Sequence, residues 1–119
     1  MKIAVVGSRG ITRLDMGKFL PNGCDEIVSG GAKGVDACAA NFARLHNIKL
    51  TEFLPRYEKY GRAAPIVRNK EIVDYADEVI AFWDGVSKGT YSVIEYCKKT
   101  ETPCKVILCE NGIPKQDAP

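Results

Sequence analysis

The chain has 119 residues, of which 45% are hydrophobic and 27% charged, and its formal net charge is +2. That length suits one domain able to bury a core of its own, and the composition is ordinary for a globular protein. So small a charge excess argues against a general nucleic-acid binder and leaves the position of charge as the informative quantity.

Ile3-Ala4-Val5-Val6-Gly7 follows directly on Met1-Lys2. Its apolar run is too short for a signal-peptide core or a membrane span, so a cytoplasmic protein without membrane association is expected. The same run reads as the first of five buried strands. The others are Glu26 to Ser29, Lys49 to Leu54, Glu78 to Trp83 and Lys105 to Cys109, each short, apolar and rich in β-branched residues.

Helical patterns separate the strands. Asp15 to Leu20 predicts a short helix stopped by Pro21-Asn22-Gly23. Gly34 to His46 sets Val35, Ala39, Phe42 and Ala43 on one stripe, with Asn47 suited to its C-terminal cap. Ala63 to Tyr75 places Pro65 in a first turn. Thr90 to Lys99 ends in a lysine pair that suits the negative end of a helix dipole. Asn111 to Pro119 has little to bury and is expected to be a flexible tail (111–119) without function.

Five cysteines, Cys24, Cys38, Cys97, Cys104 and Cys109, form no C-x-x-C pair. With no signal segment they read as free thiols in a reducing compartment, used as small apolar packers. His46 is the one histidine and falls at a helix end. Neither a metal site nor a cofactor is expected from such ligands, and no Ser-His-Asp or Cys-His grouping can be built on it.

Alternating strands and helices predict an α/β fold: a single Rossmann-like three-layer domain over residues 1–110, with a five-stranded parallel sheet in the order 3-2-1-4-5. Ligands of such sheets sit beyond the carboxyl ends of the strands, where the winding reverses. Here that point lies between the first and fourth strands. Three loops meet there: Gly7-Ser8-Arg9-Gly10, Ser29-Gly30-Gly31-Ala32-Lys33-Gly34, and Asp84-Gly85-Val86-Ser87-Lys88-Gly89-Thr90.

Each loop is glycine-rich and feeds a helix whose first N–H groups lack partners, an arrangement that attracts anions. Arg9, Lys33, Arg68 and Lys88 bring cations to the same rim. A phosphate-bearing ligand is therefore expected against these loops. Gly89 and Thr90 do not complete a Walker A loop; Thr90 is expected to cap the last helix or to meet a phosphate oxygen. Asp36, in a helical first turn, can complement the dipole, hold a ribose hydroxyl or order its loop. Asp84 and Glu95 are the other acidic candidates, and Trp83 can stack on a base or simply pack.

Ile3-Ala4-Val5-Val6-Gly7-Ser8-Arg9 and Val28-Ser29-Gly30-Gly31-Ala32-Lys33-Gly34-Val35-Asp36 resemble the paired motifs of the DNA-processing protein DprA/Smf. Arg68-Asn69-Lys70 resembles that family's Arg-Asn-Arg segment. The stretch from Arg68 through Ala76-Asp77 to Lys88-Gly89-Thr90 is similar to the Lonely Guy phosphoribohydrolases. Both families belong to the SLOG superfamily, and the small DUF2493/YspA-like branch is the nearest resemblance, spanning Met1 to Cys109.

The resemblance implies a Rossmann-like fold, a nucleotide-related ligand and a homo-oligomer. Asn69 and Ser87 join Gly7, Ser8, Arg9, Gly30 to Gly34, Asp36, Arg68, Gly85, Lys88, Gly89 and Thr90 as expected ligand-binding positions. If the N-glycosidic bond of a nucleoside monophosphate is cleaved, Arg68, Asp84 and Glu95 are the catalytic candidates, Asp36 being a further acid able to stabilise the oxocarbenium-like sugar. The Lonely Guy motif P-G-G-x-G-T-x-x-E carries a glutamate where this chain has Val93. Glu95 stands two residues later, about 200° around a helix. Binding a nucleotide-type small molecule therefore ranks first, N-glycosidic cleavage second, and a DprA-like single-stranded nucleic-acid accessory, with Tyr57, Tyr60 and Arg62 as its lip, third.

Overall fold

A computed structural model describes residues 1–115. Six strands form one sheet: β1 (Lys2–Gly7), β2 (Glu26–Ser29), β3 (Lys49–Glu52), β4 (Glu78–Trp83), β5 (Cys104–Glu110) and β6 (Ile113–Pro114). Their order is β3-β2-β1-β4-β5-β6. Neighbours among β1 to β5 pair in parallel, whereas β6 pairs antiparallel with β5, Cys109 facing Pro114 and Glu110 facing Ile113.

The sheet is thus six-stranded and mixed, which corrects the expected five-stranded, all-parallel one. The extra strand comes from the segment expected to be a loose tail. Asn111 at φ 55° and Gly112 at φ 81° make the reversal, the left-handed pair that a two-residue hairpin needs. Pro114 is tolerated because β6 is an edge strand. Residues 116–119 of that tail lie outside the described residues.

Four α-helices accompany the sheet among the described residues: α1 (Val35–Leu45), α2 (Tyr57–Tyr60), α3 (Ala64–Tyr75) and α4 (Lys88–Thr100). The expected helix over Asp15 to Leu20 is only a 3-10 turn at Met16–Lys18. The single turn of α2 has no counterpart among the expected elements. Pro65 does stand in the first turn of α3, and Asn47, at φ 54°, takes the left-handed position just past α1.

Alternation along β1 sends Ile3 and Val5 to one face and Ala4 and Val6 to the other. On the first face Val35, Ala39 and Ala43 of α1 cover Ile3, Val5, Ile80 and Phe82, while Met16 and Phe19 fill the flank. On the second, Ile72 and Val73 of α3 and Val93, Ile94 and Cys97 of α4 cover Ala4, Val6, Val79 and Ala81. Each large side chain so buried contributes about 1.5–3 kcal/mol relative to exposure.

Gly7 ends β1 where these layers come closest. A Cβ there would lie 2.5 Å from Val35 Cγ2 and 2.7 Å from the Phe82 carbonyl oxygen. Only glycine lets α1 start directly over the end of the sheet. No helix among the described residues is long and apolar enough to cross a membrane.

Candidate functional site

β1 stands between β2 and β4, so the loops after these three strands converge past their carboxyl ends. A cleft of about 470 Å³ opens there. Gly7, Ser8 and Arg9 line it from the first loop, Gly30, Ala32 and Asp36 from the second, and Asp84, Ser87, Lys88, Gly89 and Thr90 from the third. Arg68 and Asn69 reach it from α3.

Its remaining wall is largely aliphatic. Val6, Ile72 and Val93 are buried residues that also border the cleft, and Pro65 closes its edge. Gly10 completes the first loop's contribution. The alternating pattern of β1 and the helical phase of α3 and α4 identify these side chains as core; nothing in their residue type marks them as cleft wall.

Five expected positions are not part of this lining. Gly31, at φ 69°, turns toward Leu54 and Glu52. Gly34, at φ 74°, caps the start of α1 and would meet the Arg9 carbonyl oxygen at 2.5 Å if it carried a Cβ. It therefore holds the first two loops together and does not touch the cleft. Gly85, at φ 86°, is a turn residue, and Lys33 is solvent-exposed. The rim cations are thus Arg9, Arg68 and Lys88.

Glu95 is the fifth. It is exposed and its Oε1 meets Lys98 Nζ at 3.3 Å, on the outer side of α4. Val93, at the place of the glutamate in the resembled enzymes, is 2% exposed and borders the cleft. No carboxylate of α4 reaches the candidate site.

The third loop shows why α4 begins where it does. Asp84 Oδ1 accepts the N–H groups of Val86 and Ser87 at 2.9 and 2.7 Å, and Oδ2 accepts the Ser87 hydroxyl at 2.7 Å. Partial desolvation pushes the Asp84 carboxyl up, but the Ser87 hydroxyl, these two N–H groups and the neighbouring Ser8 hydroxyl together outweigh it and hold the group below its usual range. The Asp84 carboxylate lines the cleft, and its hydrogen bonds to Val86 and Ser87 are all made within its own loop. Trp83 Nε1 donates to the Ser87 carbonyl at 3.0 Å, and the Trp83 ring lies 5.6 Å from that of Tyr91. Trp83 therefore braces the same loop and does not border the cleft.

Ser87 is the N-cap of α4 by position, yet its side chain makes no capping bond. Thr90 lies within the first turn, buried, and is not the cap expected of it. The first α4 bond at this end is Tyr91 N–H to the Ser87 carbonyl. The N–H groups of Lys88, Gly89 and Thr90 are the unpaired donors that every helix start leaves. Beside them, Ser8 is 5% exposed and its Oγ has no partner at hydrogen-bond distance among the described residues.

Across the cleft, Arg68 Nη1 donates to the Gly30 carbonyl at 2.7 Å and Nε to Asn69 Oδ1 at 2.9 Å. Asp36 Oδ2 accepts the Ala32 N–H at 3.0 Å. Burial raises the Asp36 carboxyl above its ordinary value, and the Ala32 N–H and the Arg68 charge only partly offset it. Gly30 makes room for this pairing: a Cβ would stand 2.5 Å from Arg68 Nη1 and 3.0 Å from Asp36 Oδ2. Beneath it the Ser29 hydroxyl, fully buried, faces Asp36 and has no partner at hydrogen-bond distance among the described residues.

Tyr57 and Arg62, the expected lip for single strands, are exposed on α2 and the turn after it. Tyr60 is flanked there by Arg56 and Lys59, 5.3 and 5.2 Å from its ring centre, so its faces already meet cations. No protein-family model matches the chain, and neither do any curated proteins or solved structures.

Proposed function

We propose that the chain is a Rossmann-like domain of the SLOG type that binds a nucleotide or nucleotide-derived phosphate ligand in this cleft. The observation that carries the proposal is the open N-terminus of α4 on the cleft, with the buried Ser8 hydroxyl beside it, which faces the Asp84 carboxylate but has no partner within hydrogen-bond distance among the described residues. A buried hydroxyl without a partner is costly, and an anion seated on Lys88, Gly89 and Thr90 would satisfy it together with the helix N–H groups. Arg9 and Lys88 add charge at the mouth, and Asp84 has already spent its acceptors on the loop. The aliphatic wall then meets the uncharged part of the ligand, and Arg68 with Asp36 meets its polar groups.

Thermal unfolding against a panel of nucleoside mono-, di- and triphosphates and inorganic phosphate tests this. Ligand at a hundred times its Kd stabilises by about 2.7 kcal/mol. An upward shift with phosphate-bearing members is expected, and its loss in Lys88→Ala. A flat response across the panel rejects the proposal.

Asp36 favours a second function, cleavage of the N-glycosidic bond of a nucleoside monophosphate. It is the cleft carboxyl that burial raises, beside a guanidinium, and a raised acid in a cleft suits proton donation. Arg68 would steady the ligand and Asp36 would stand near the developing oxocarbenium charge. Chromatography for free base after incubation with nucleoside monophosphates decides it: release lost in Asp36→Asn supports the activity, and no base above blank rejects it.

A further inference from the structure

β5 is apolar on both faces, since Val106, Ile107, Leu108 and Cys109 follow one another without a polar residue. Strands of that pattern are normally covered on both sides. Ile107 and Cys109 are buried in the core that α1 covers. On the opposite face Val106 and Leu108 stay 41% and 46% exposed. Their sheet neighbours there are Ala81 and Trp83, and the Trp83 ring lies 5.6 Å from that of Tyr91, itself 49% exposed.

α4 leaves this ground open because it lies beside α3, where the Tyr96 hydroxyl donates to Asp74 at 2.9 Å. Tyr91, Glu95 and Lys98 share one stripe of α4, about 100–160° around the helix from Tyr96 and so on the flank toward β5. Trp83, Tyr91, Val106 and Leu108 thus form one continuous apolar patch. Its two ends carry opposite charge. Lys98 stands in the last turn of α4, at the end where β5 begins. Glu110 closes β5 on the same face as Val106 and Leu108. Both are exposed, and the surface pairing of Lys98 with Glu95 at 3.3 Å is weak enough to exchange.

We propose that this patch is the interface of a homodimer, in which two copies pack their α4–β5 faces across a two-fold axis perpendicular to β5. A two-fold interface uses the same surface on both partners, and this axis sets the two β5 strands antiparallel. It brings Lys98 of each copy to the Glu110 end of the other. An axis along β5 would instead set Lys98 against Lys98 and Glu110 against Glu110. The charges therefore select a second copy and its direction together. An apolar centre rich in aromatics, ringed by charge, is the anatomy of a protein interface. The proposal does not depend on what the cleft binds, since none of these side chains lines it.

Sedimentation of the full chain over a dilution series tests it, with a monomer–dimer equilibrium as the expected result. Leu108→Arg buries an unpaired charge and should raise the dimer Kd about a hundredfold, and Val106→Glu should act in the same direction. Both residues are half-exposed in the single chain, so circular dichroism of the two variants should match the parent. Lys98→Glu and Glu110→Lys should each weaken the dimer, and the two together should restore it. Leu45→Glu, at a position 82% exposed on α1, should leave it intact. A chain that stays monomeric at every concentration, or a dimer indifferent to both Leu108→Arg and Val106→Glu, overturns the proposal. So does a dimer weakened as much by Leu45→Glu, or one that the double charge exchange fails to restore.

Discussion

Ser8 and Ser29 carry the buried side-chain oxygens that lack hydrogen-bond partners among the described residues, and both stand at the carboxyl ends of strands. The Ser8 hydroxyl has no partner within hydrogen-bond distance and only helps to hold the Asp84 carboxylate ionised, so Ser8→Ala should melt within about 1 kcal/mol of the parent. The same variant should lose the phosphate-dependent shift. A Ser8→Ala protein that is strongly destabilised without ligand would falsify the role given to this hydroxyl. Gly30 makes the opposite case. Its added methyl must displace the Arg68 guanidinium, so Gly30→Ala should cost about 1–3 kcal/mol in denaturant titration and weaken ligand binding as well.

At the scale of elements, the loop from β4 to α4 is built by one carboxylate. Asp84→Ala removes the acceptor of three donors. Hydrogen exchange at Val86 and Ser87 should quicken, with a stability loss of about 0.5–2 kcal/mol, as for a lost helix cap. Exchange unchanged at those two amides would show that the loop is held otherwise.

The strands β1, β2, β4 and β5 are legible in the sequence as runs rich in β-branched apolar residues, whereas β3, Lys49–Glu52, is a half-exposed edge strand with two charged residues. The convergence of the strands on the cleft follows from alternating elements. β6 was carried by a readable signal, Asn111-Gly112, but a strand of two residues ending in proline has no pattern of its own. Glu95 shows the other limit. Placing a side chain inside or outside a cleft needs the helix start to within a residue, and α4 begins at Lys88 because of contacts made by Asp84 and Trp83. Lys33 and Gly34 illustrate the same point, since loop residues only one or two positions from the lining residues Ala32 and Asp36 are not part of the lining.

Across the whole molecule the two ends of the sheet differ in how their polar groups are satisfied. At the amino ends of the strands, Glu26 Oε2 accepts Thr51 Oγ1 at 2.7 Å and Tyr75 OH at 2.5 Å, with Lys49 Nζ at 3.5 Å from Oε1. The Met1 amine meets Asp25, and the Lys2 N–H meets Asp77. At the carboxyl ends stand the open helix start and the Ser8 and Ser29 hydroxyls, which face Asp84 and Asp36 without a partner at hydrogen-bond distance. One end is finished by the chain itself, and the other is the end where the proposed ligand would sit.

The two buried carboxyls put this difference into pH. The Tyr75 hydroxyl, aided by Thr51 and Lys49, holds Glu26 below its ordinary 4.5 against desolvation. Its contribution to stability is therefore present above pH 4.5 and is lost as pH falls through the folded value. Burial holds Asp36 above its ordinary 3.8, so its contribution is present below pH 3.8 and is lost as pH rises through the folded value. Melting profiles against pH should separate them. Glu26→Gln should flatten the acid-side fall and leave ligand affinity unchanged. Asp36→Asn should remove the loss above pH 3.8 and alter ligand affinity. If Glu26→Gln weakened the ligand as much as Asp36→Asn did, the division between a self-satisfied end and a ligand-completed end would fail.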